Sequence, residues 1–442
     1  MNRQAFALLG AASAALILAA CSDSSVSSDI AQSTPGQGPS HVQPAPPGPF
    51  PNFDVDPPGE PVRKPVGGPI DGLTPEELAA FERGKLVFER RFKPSEGLGP
   101  MYNATSCASC HSKPVTGGAA DLYRNFYVAM RGSTSQIPLA GLISLVVPSF
   151  GAGQTFTLEG GRIVIPDSIG PVPVARAQRN SIPMFGSGMF EFISNATIIA
   201  NSDPNNTVTP GDTISGRYNT DVAGLGRFGT KAQANSIEIF TRTPMNTQMG
   251  ITSEPFNADV ISMACSPVAQ AGGDPNDPTF DADGIPDPEI SRQDLGDLIA
   301  FTRFLAPPER VQPMTPQAII GERTFERLGC VLCHIPSLES SRGPVKAYTD
   351  LLIHDMGPDL ADGLNIGTPQ TSSISNGLTG SEWRTQPLWG VSLVGPWLHD
   401  GRAETLFEAI EMHGGEAQSI RDAFMALSTE EQDQVIEFLE HL

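Results

Sequence analysis

Apolar side chains recur at three- and four-residue spacing in four separate stretches, and each stretch predicts a helix. The first opens at Leu73-Thr74-Pro75-Glu76-Glu77, with Thr74 as N-cap, Pro75 at the first helical position and acids in the first turn, and it continues through Phe81, Gly84 and Phe88. The second runs from Leu295 to Leu305 and stops at Pro307-Pro308. The third opens at Met314-Thr315-Pro316 and runs through Gly321 and Phe325. The fourth follows a capping box, Ser428-Thr429-Glu430-Glu431, and carries Val435, Ile436, Phe438 and Leu439. Gly84-Lys85-Leu86-Val87-Phe88 matches Gly321-Glu322-Arg323-Thr324-Phe325, so the pattern repeats. Between about 115 and 290 it breaks up, and apolar or Thr-rich runs such as Leu142 to Val147 and Thr155 to Val164 predict short strands or loops.

The N-terminus follows a different pattern. Arg3 precedes an apolar run, Phe6 to Ala20, of the length of a signal-peptide core rather than of a membrane span. It ends in Leu18-Ala19-Ala20-Cys21, a lipobox, so residues 1–20 are expected to be removed and Cys21 to carry lipid. Ser22 follows, where an Asp resembles an inner-membrane retention signal. The expected location is therefore the periplasmic side of the outer membrane. Residues 21–70 are rich in Pro, Ser and Gly and read as a flexible tether with His41 as a solvated position.

Composition narrows the choice. With 28 Lys+Arg against 49 Asp+Glu the formal charge is −21, which argues against nucleic acid or anionic lipid as the main partner. Gly (45) and Pro (41) are abundant enough that irregular structure should be extensive.

Four of the six cysteines fall in Cys107-Ala-Ser-Cys110-His111 and Cys330-Val-Leu-Cys333-His334. This is the attachment pattern of c-type haem: two thiols add to the two vinyl groups of one porphyrin, and the adjacent His lies under the ring to ligate iron. Local disulfides, a thioredoxin-like redox site and one zinc bound by four thiolates are the competing readings. Two covalently bound haem c groups are expected, with His111 and His334 as metal ligands and Cys107, Cys110, Cys330 and Cys333 as cofactor-binding residues. Cys265 reads as a structural thiol. Helix, attachment motif, loops and closing helix form the plan of a class I cytochrome c fold, and here the plan occurs twice. The expected fold is mainly α, with two cytochrome c-like haem domains at 71–309 and 310–442, the first holding a large irregular insertion with some β. Among acidic residues, Asp274, Asp277, Asp281, Asp283 and Asp287 around Gly284 offer oxygen ligands for calcium or form a solvated loop.

Together with these pentads, Glu382-Trp-Arg-Thr-Gln-Pro-Leu-Trp-Gly390, Leu398-His-Asp-Gly-Arg-Ala403 and Met412-His-Gly-Gly-Glu-Ala417 resemble the di-haem oxidoreductases of peroxidase type, which are similar to bacterial di-haem cytochrome c peroxidases. The resemblance covers about residues 71–442. It implies an electron-transfer haem in one domain and a substrate-reducing haem in the other. A small redox carrier protein would be the electron donor and hydrogen peroxide, or another oxidant, the acceptor. It also admits side-chain oxidation of a partner protein. In the resembled peroxidases a Met ligand lies at the position of His413, 14 residues after His399, so His413 is expected as second ligand of the C-terminal haem. Met412, Met356 and His354 are alternatives. No His follows His111 for 200 residues, and an open first haem is expected; Met101 and Met130 are unmarked candidates. The family's catalytic Glu, 17 residues after a basic position, falls on Gln248 when counted from Lys231. An amide can donate a hydrogen bond but cannot carry the proton. Glu238 or Glu191 is the expected substitute base. His399 is a candidate for orienting substrate, and Arg384 and Arg402 for pairing with haem propionates. The family's inter-haem Trp is replaced by Phe228, with Thr230 where a nearby Trp is usual. The alternative function is a di-haem electron-transfer cytochrome without peroxidase turnover. Trp383, Trp389 and Trp397 read as core packing or as electron relays.

Overall fold

The computed structural model describes residues 61–442, apart from residue 100, parts of 132–166, and 205–213, 222–223, 254–283, 365–367 and 370–377. Cys21, His41, Cys265, Asp274, Asp277, Asp281 and Asp283 lie outside the described residues, so the lipid anchor and most of the candidate calcium loop do too. Eight α-helices carry the described chain: α1 (Pro75–Glu89), α2 (Asn195–Ala200), α3 (Ile237–Met249), α4 (Arg292–Phe304), α5 (Pro316–Leu328), α6 (Leu406–Glu411), α7 (Gln418–Met425) and α8 (Thr429–His441).

Local chemistry starts these helices where the sequence pattern places them. Thr74 and Glu77 form a reciprocal capping box on α1, as Ser428 and Glu431 do on α8, and Thr315 accepts from the Ala318 N–H at the start of α5. Helix α4 begins earlier than expected, because Ser291 caps it by accepting from the Asp294 N–H.

α1 packs on α4 and α5 packs on α8, and the two crossings repeat in detail. A Cβ added to Gly84 would lie 1.8 Å from the Asp297 carbonyl oxygen, and one on Gly321 would lie 1.9 Å from that of Gln434. Only glycine permits so close a backbone approach. Four residues on, Phe88 meets Phe301 at 5.0 Å between centroids, and Phe325 meets Phe438 at 5.3 Å. The two aromatic clusters sit in separate cores.

Short strands occupy the segment between α1 and α3. β1 (Phe126–Arg131), β2 (Ser135–Leu139), β3 (Leu142–Ser144), β4 (Val146–Val147), β5 (Ser168–Ile169) and β6 (Val172–Arg179) form an antiparallel sheet in the order β3–β2–β1–β6–β5, with β4 also on β1. The β1–β6 ladder runs from Arg131↔Val174 to Phe126↔Arg179 and delivers Arg179 to the first site. Farther along, β7 (Ile353–Asp355) pairs with β8 (Glu382–Arg384), opposing His354 to Trp383.

Residues 61–70 depart from the expected tether. Val62 and Ile70 bond to the backbones of Gln312 and Phe304, and Arg63 donates to the carbonyls of Glu309, Glu440 and Leu442. A guanidinium at the carbonyl-rich end of α8 is electrostatically favourable, and it fixes a segment whose composition alone suggests none. Among the described residues no helix is long and apolar enough to cross a membrane.

Candidate functional site

Cys107, Cys110 and His111 lie on one tight turn, capped by Ser106, whose hydroxyl accepts from the Ser109 N–H at 3.1 Å. The His111 ring donates from Nδ1 to the Gly118 carbonyl at 3.0 Å, the Ile182 backbone also hydrogen-bonds to the ring, and burial outweighs both and lowers its pKa, which keeps it neutral. A neutral imidazole with Nδ1 anchored is the form that binds metal. These residues line a cavity of about 460 Å³ whose wall also includes Arg179, Lys231, Arg242, Met245, Gln248 and Met249.

The cavity fits a haem. Burial pushes the Cys107 thiol up to about 12, the opposite of the depressed pKa a thioredoxin-like site needs. Arg242 is 5 % exposed; its Nε and Nη2 donate to Ser253, while Nη1 is buried without a partner. A desolvated, half-satisfied guanidinium on a cavity wall calls for a carboxylate, and haem carries two. Arg384 and Arg402, expected at propionates, instead spend their donors within the protein. Arg384 bonds to Gly229, Thr385 and Gln386, and Arg402 to Asp400 and Asp359.

The expected catalytic groups separate on this geometry. Gln248 lines the cavity, and its amide oxygen accepts from Asn103 at 2.9 Å, so its NH2 is the group left to donate. Glu238 lies in the first turn of α3 and does not line the cavity. Glu191 accepts from the Ile237 N–H and pairs with Arg303, which commits it to holding α3 in place. His399 is stacked on Trp383 at 3.9 Å between centroids and 10° between planes, and burial lowers its pKa to about 4. It does not line the cavity either. Burial likewise lowers Lys231 to about 7; its ammonium donates to the carbonyls of Thr379, Gly380 and Glu382 and sits 3.6 Å over the other aromatic neighbour, the Trp383 ring. Trp389 stacks on Phe190, and the Trp397 indole donates to Val391, both as core packing. Met245 and Met249, two buried thioethers one turn apart on α3, were not singled out by the sequence; their i, i+4 spacing is the signal, and Pro244 inside the helix masks it.

The second site repeats the first. His334 donates from Nδ1 to the Tyr348 carbonyl at 3.0 Å, and its ring lies 6.3 Å from Phe325, as the His111 ring lies 6.1 Å from Phe88. Burial lowers His334 to about 4, with repulsion from nearby His413 contributing. His413 follows α6, donates from Nδ1 to the Ala409 carbonyl at the end of that helix, and is also kept neutral by burial. Both rings keep Nε2 free. His354 differs: Nε2 bonds to Asp350 and Nδ1 to Glu416, each at 2.8 Å. Burial opposes its charge, but the Asp350 carboxylate outweighs burial and holds its pKa well above the usual value. With both nitrogens bonded to carboxylates, His354 has no nitrogen left for iron in this arrangement, unlike His413. Cys333, Asp350 and His354 place their donor atoms within 4.8 Å of one another, yet that ring's nitrogens are already engaged by carboxylates.

A model of the family described as "Di-haem oxidoreductase, putative peroxidase" matches residues 172–442. No curated protein matches. Solved structures similar to this chain include hydrazine synthase from Kuenenia stuttgartiensis (16% identity, 94% of this chain and 99% of that one, TM-score 0.34). A MauG-like protein associated with microbial copper homeostasis also matches (17%, 88% and 94%, TM-score 0.38). So does the diheme peroxidase BthA from Burkholderia thailandensis E264 (16%, 82% and 86%, TM-score 0.38).

Proposed function

The chain belongs to the di-haem oxidoreductase family, and from that premise we propose that it is a lipid-anchored c-type enzyme of peroxidase type on the periplasmic side of the outer membrane. The supporting observation is an asymmetry. His334 has a second neutral imidazole, His413, close by, whereas among the described residues no second histidine lines the cavity of His111. Haem, when bound, supplies a reversible iron couple and, where one coordination position is free, a place for peroxide to bind.

The chain's own residues then divide the work. Cys107, Cys110, Cys330 and Cys333 would attach the two haems, and His111 and His334 would be their histidine ligands. His413 closes the second site, which suits it to receive electrons from a small reduced carrier protein. Arg242 fixes a carboxylate edge at the first site. Gln248 would offer its NH2 as a hydrogen-bond donor to peroxide in the first cavity, and the two protons would come from solvent rather than from a cavity carboxylate. Two electrons and two protons convert one peroxide into two waters. Trp383 lies in the path between the sites, backbone-paired to His354 beside Cys333 and in contact with Lys231 of the first cavity. The proposed domains are 71–309 and 310–442.

Peroxide turnover by the holoprotein with a reduced c-type cytochrome tests this reading; two haems without turnover would contradict it. A second reading, an electron-transfer cytochrome, rests on Met245 and Met249, whose sulfurs could close the first site. A high-spin first haem that keeps its spectrum in Met245→Leu and Met249→Leu supports the enzyme.

A further inference from the structure

The Glu416 carboxylate joins segments far apart in sequence. One oxygen accepts from His354 at 2.8 Å and from the Ser215 N–H at 2.9 Å; the other accepts from the Ser215 hydroxyl at 2.8 Å and the Asp355 N–H at 3.1 Å. His354 is 3 % exposed, and its other nitrogen bonds to Asp350, whose N–H donates to the Cys333 carbonyl. The contact therefore ties the loop bearing His413 to the loop that follows His334. Backbone packing follows the same line: a Cβ on Gly415 would lie 2.1 Å from the Asp355 carbonyl, so the distal loop rests directly on β7.

We propose that Glu416 and His354 form a charged clamp that holds the His413 loop at a fixed separation from the His334 loop and so keeps the second haem closed. Both are positioning residues. The proposal rests on the reading that His413 ligates that haem. Loop 412–417 is short and glycine-rich, and Gly414-Gly415 leave its backbone free to shift unless something pins it. The His413 Nδ1 bond to Ala409 fixes the ring relative to α6 alone, within the same segment. The Glu416 contacts are the side-chain bonds that tie the loop to the His334 side, beside the backbone packing of Gly415 on β7. Removing one member of a buried ion pair is disruptive because it leaves the other charge uncompensated.

The test uses holoprotein with both haems attached. In Glu416→Gln, part of the second haem is expected to turn from low- to high-spin by absorption and electron paramagnetic resonance, and carbon monoxide should bind the reduced second haem roughly tenfold faster. The double variant His354→Gln/Glu416→Gln should be no worse than either single change, the signature of one coupled unit. If Glu416→Gln does not fold, Glu416→Asp keeps the charge, shortens its reach and should show the same faster binding. His413→Gly separates the outcomes. Loss of low-spin signal in His413→Gly with wild-type spectra and rates in the Glu416 variants overturns the clamp and leaves the ligand assignment standing. An unchanged spectrum in His413→Gly overturns the assignment, and the clamp with it.

Discussion

The imidazoles around the two Cys-x-x-Cys-His turns differ by what is bonded to their nitrogens. His111, His334 and His413 each give Nδ1 to a backbone carbonyl, while His354 gives both nitrogens to carboxylates and stays charged. With both nitrogens engaged by carboxylates, His354 is suited to the proposed clamp rather than to a metal. That pairing leads to a pH prediction. Burial pushes Glu416 up, but the hydrogen bond and charge of His354 bring it down to about 2 from a usual 4.5. A depressed carboxylate contributes stability that is present above its unfolded pKa and is lost as pH falls toward the folded one. His354 is raised, so its contribution is present below 6.5 and fades only as pH rises through its elevated value. Asp350, Asp355, Cys333, His334 and Arg217 are other titratable groups around the pair. The stability difference between wild type and Glu416→Gln should therefore be largest between about pH 4.5 and 6.5 and shrink on acidification. Thermal unfolding of both proteins across that range checks it, and a difference that grows toward pH 3 would contradict it. At the first site, Gln248→Glu supplies the missing proton carrier beside the cavity. Peroxide turnover should rise about 10²-fold, the lower range for a positioned acid–base group. No rise in steady-state turnover would remove residue 248 from the distal role.

At the scale of elements, the repeated helix pair depends on two glycines. Gly84→Ala and Gly321→Ala drive a methyl into the backbone of α4 or α8, and each should cost about 1–3 kcal/mol by thermal or denaturant unfolding. Gly68→Ala, with nothing within 4 Å, should be neutral, and equal losses at all three would contradict this account of the crossings. These elements were legible in the sequence because their signals are local: a Thr-Pro start, an acid three residues past the cap, a glycine four residues before a Phe. The two Cys-x-x-Cys-His turns were legible for the same reason. Helix α3 was not, since Pro244 breaks its helical pattern, and with it went Met245, Met249 and the cavity role of Arg242. The sheet of β1 to β6 showed only as scattered apolar runs. Its register depends on pairings across more than forty residues, such as Phe126 with Arg179, that no local pattern encodes.

At the scale of the whole molecule, the strap formed by residues 61–70 and the span around Trp383 join the two helical pairs. Trp383 lies between Lys231 and His399, with its indole donating to Leu360, and Arg179 paired to Asp362 stands beside it. None of this could be read from the three clustered tryptophans, because the partners come from positions up to about two hundred residues away. The clustering did mark the neighbourhood, and two of the three are core packing. The net charge of −21 suits a basic electron carrier, and the proposed anchor at Cys21 would hold the enzyme at the membrane with no spanning helix. Cys21→Ala should move the protein from the membrane fraction to the soluble periplasm; fractionation that leaves it on the membrane would contradict the anchor. The central claim is two covalent haems in unequal environments. Absorption spectra of the oxidised and reduced holoprotein, with a pyridine haemochrome count, test it most directly. Two c-type haems per chain are expected, one low-spin and one high-spin. Two low-spin haems would contradict the open first site, and no covalent haem would contradict the whole account.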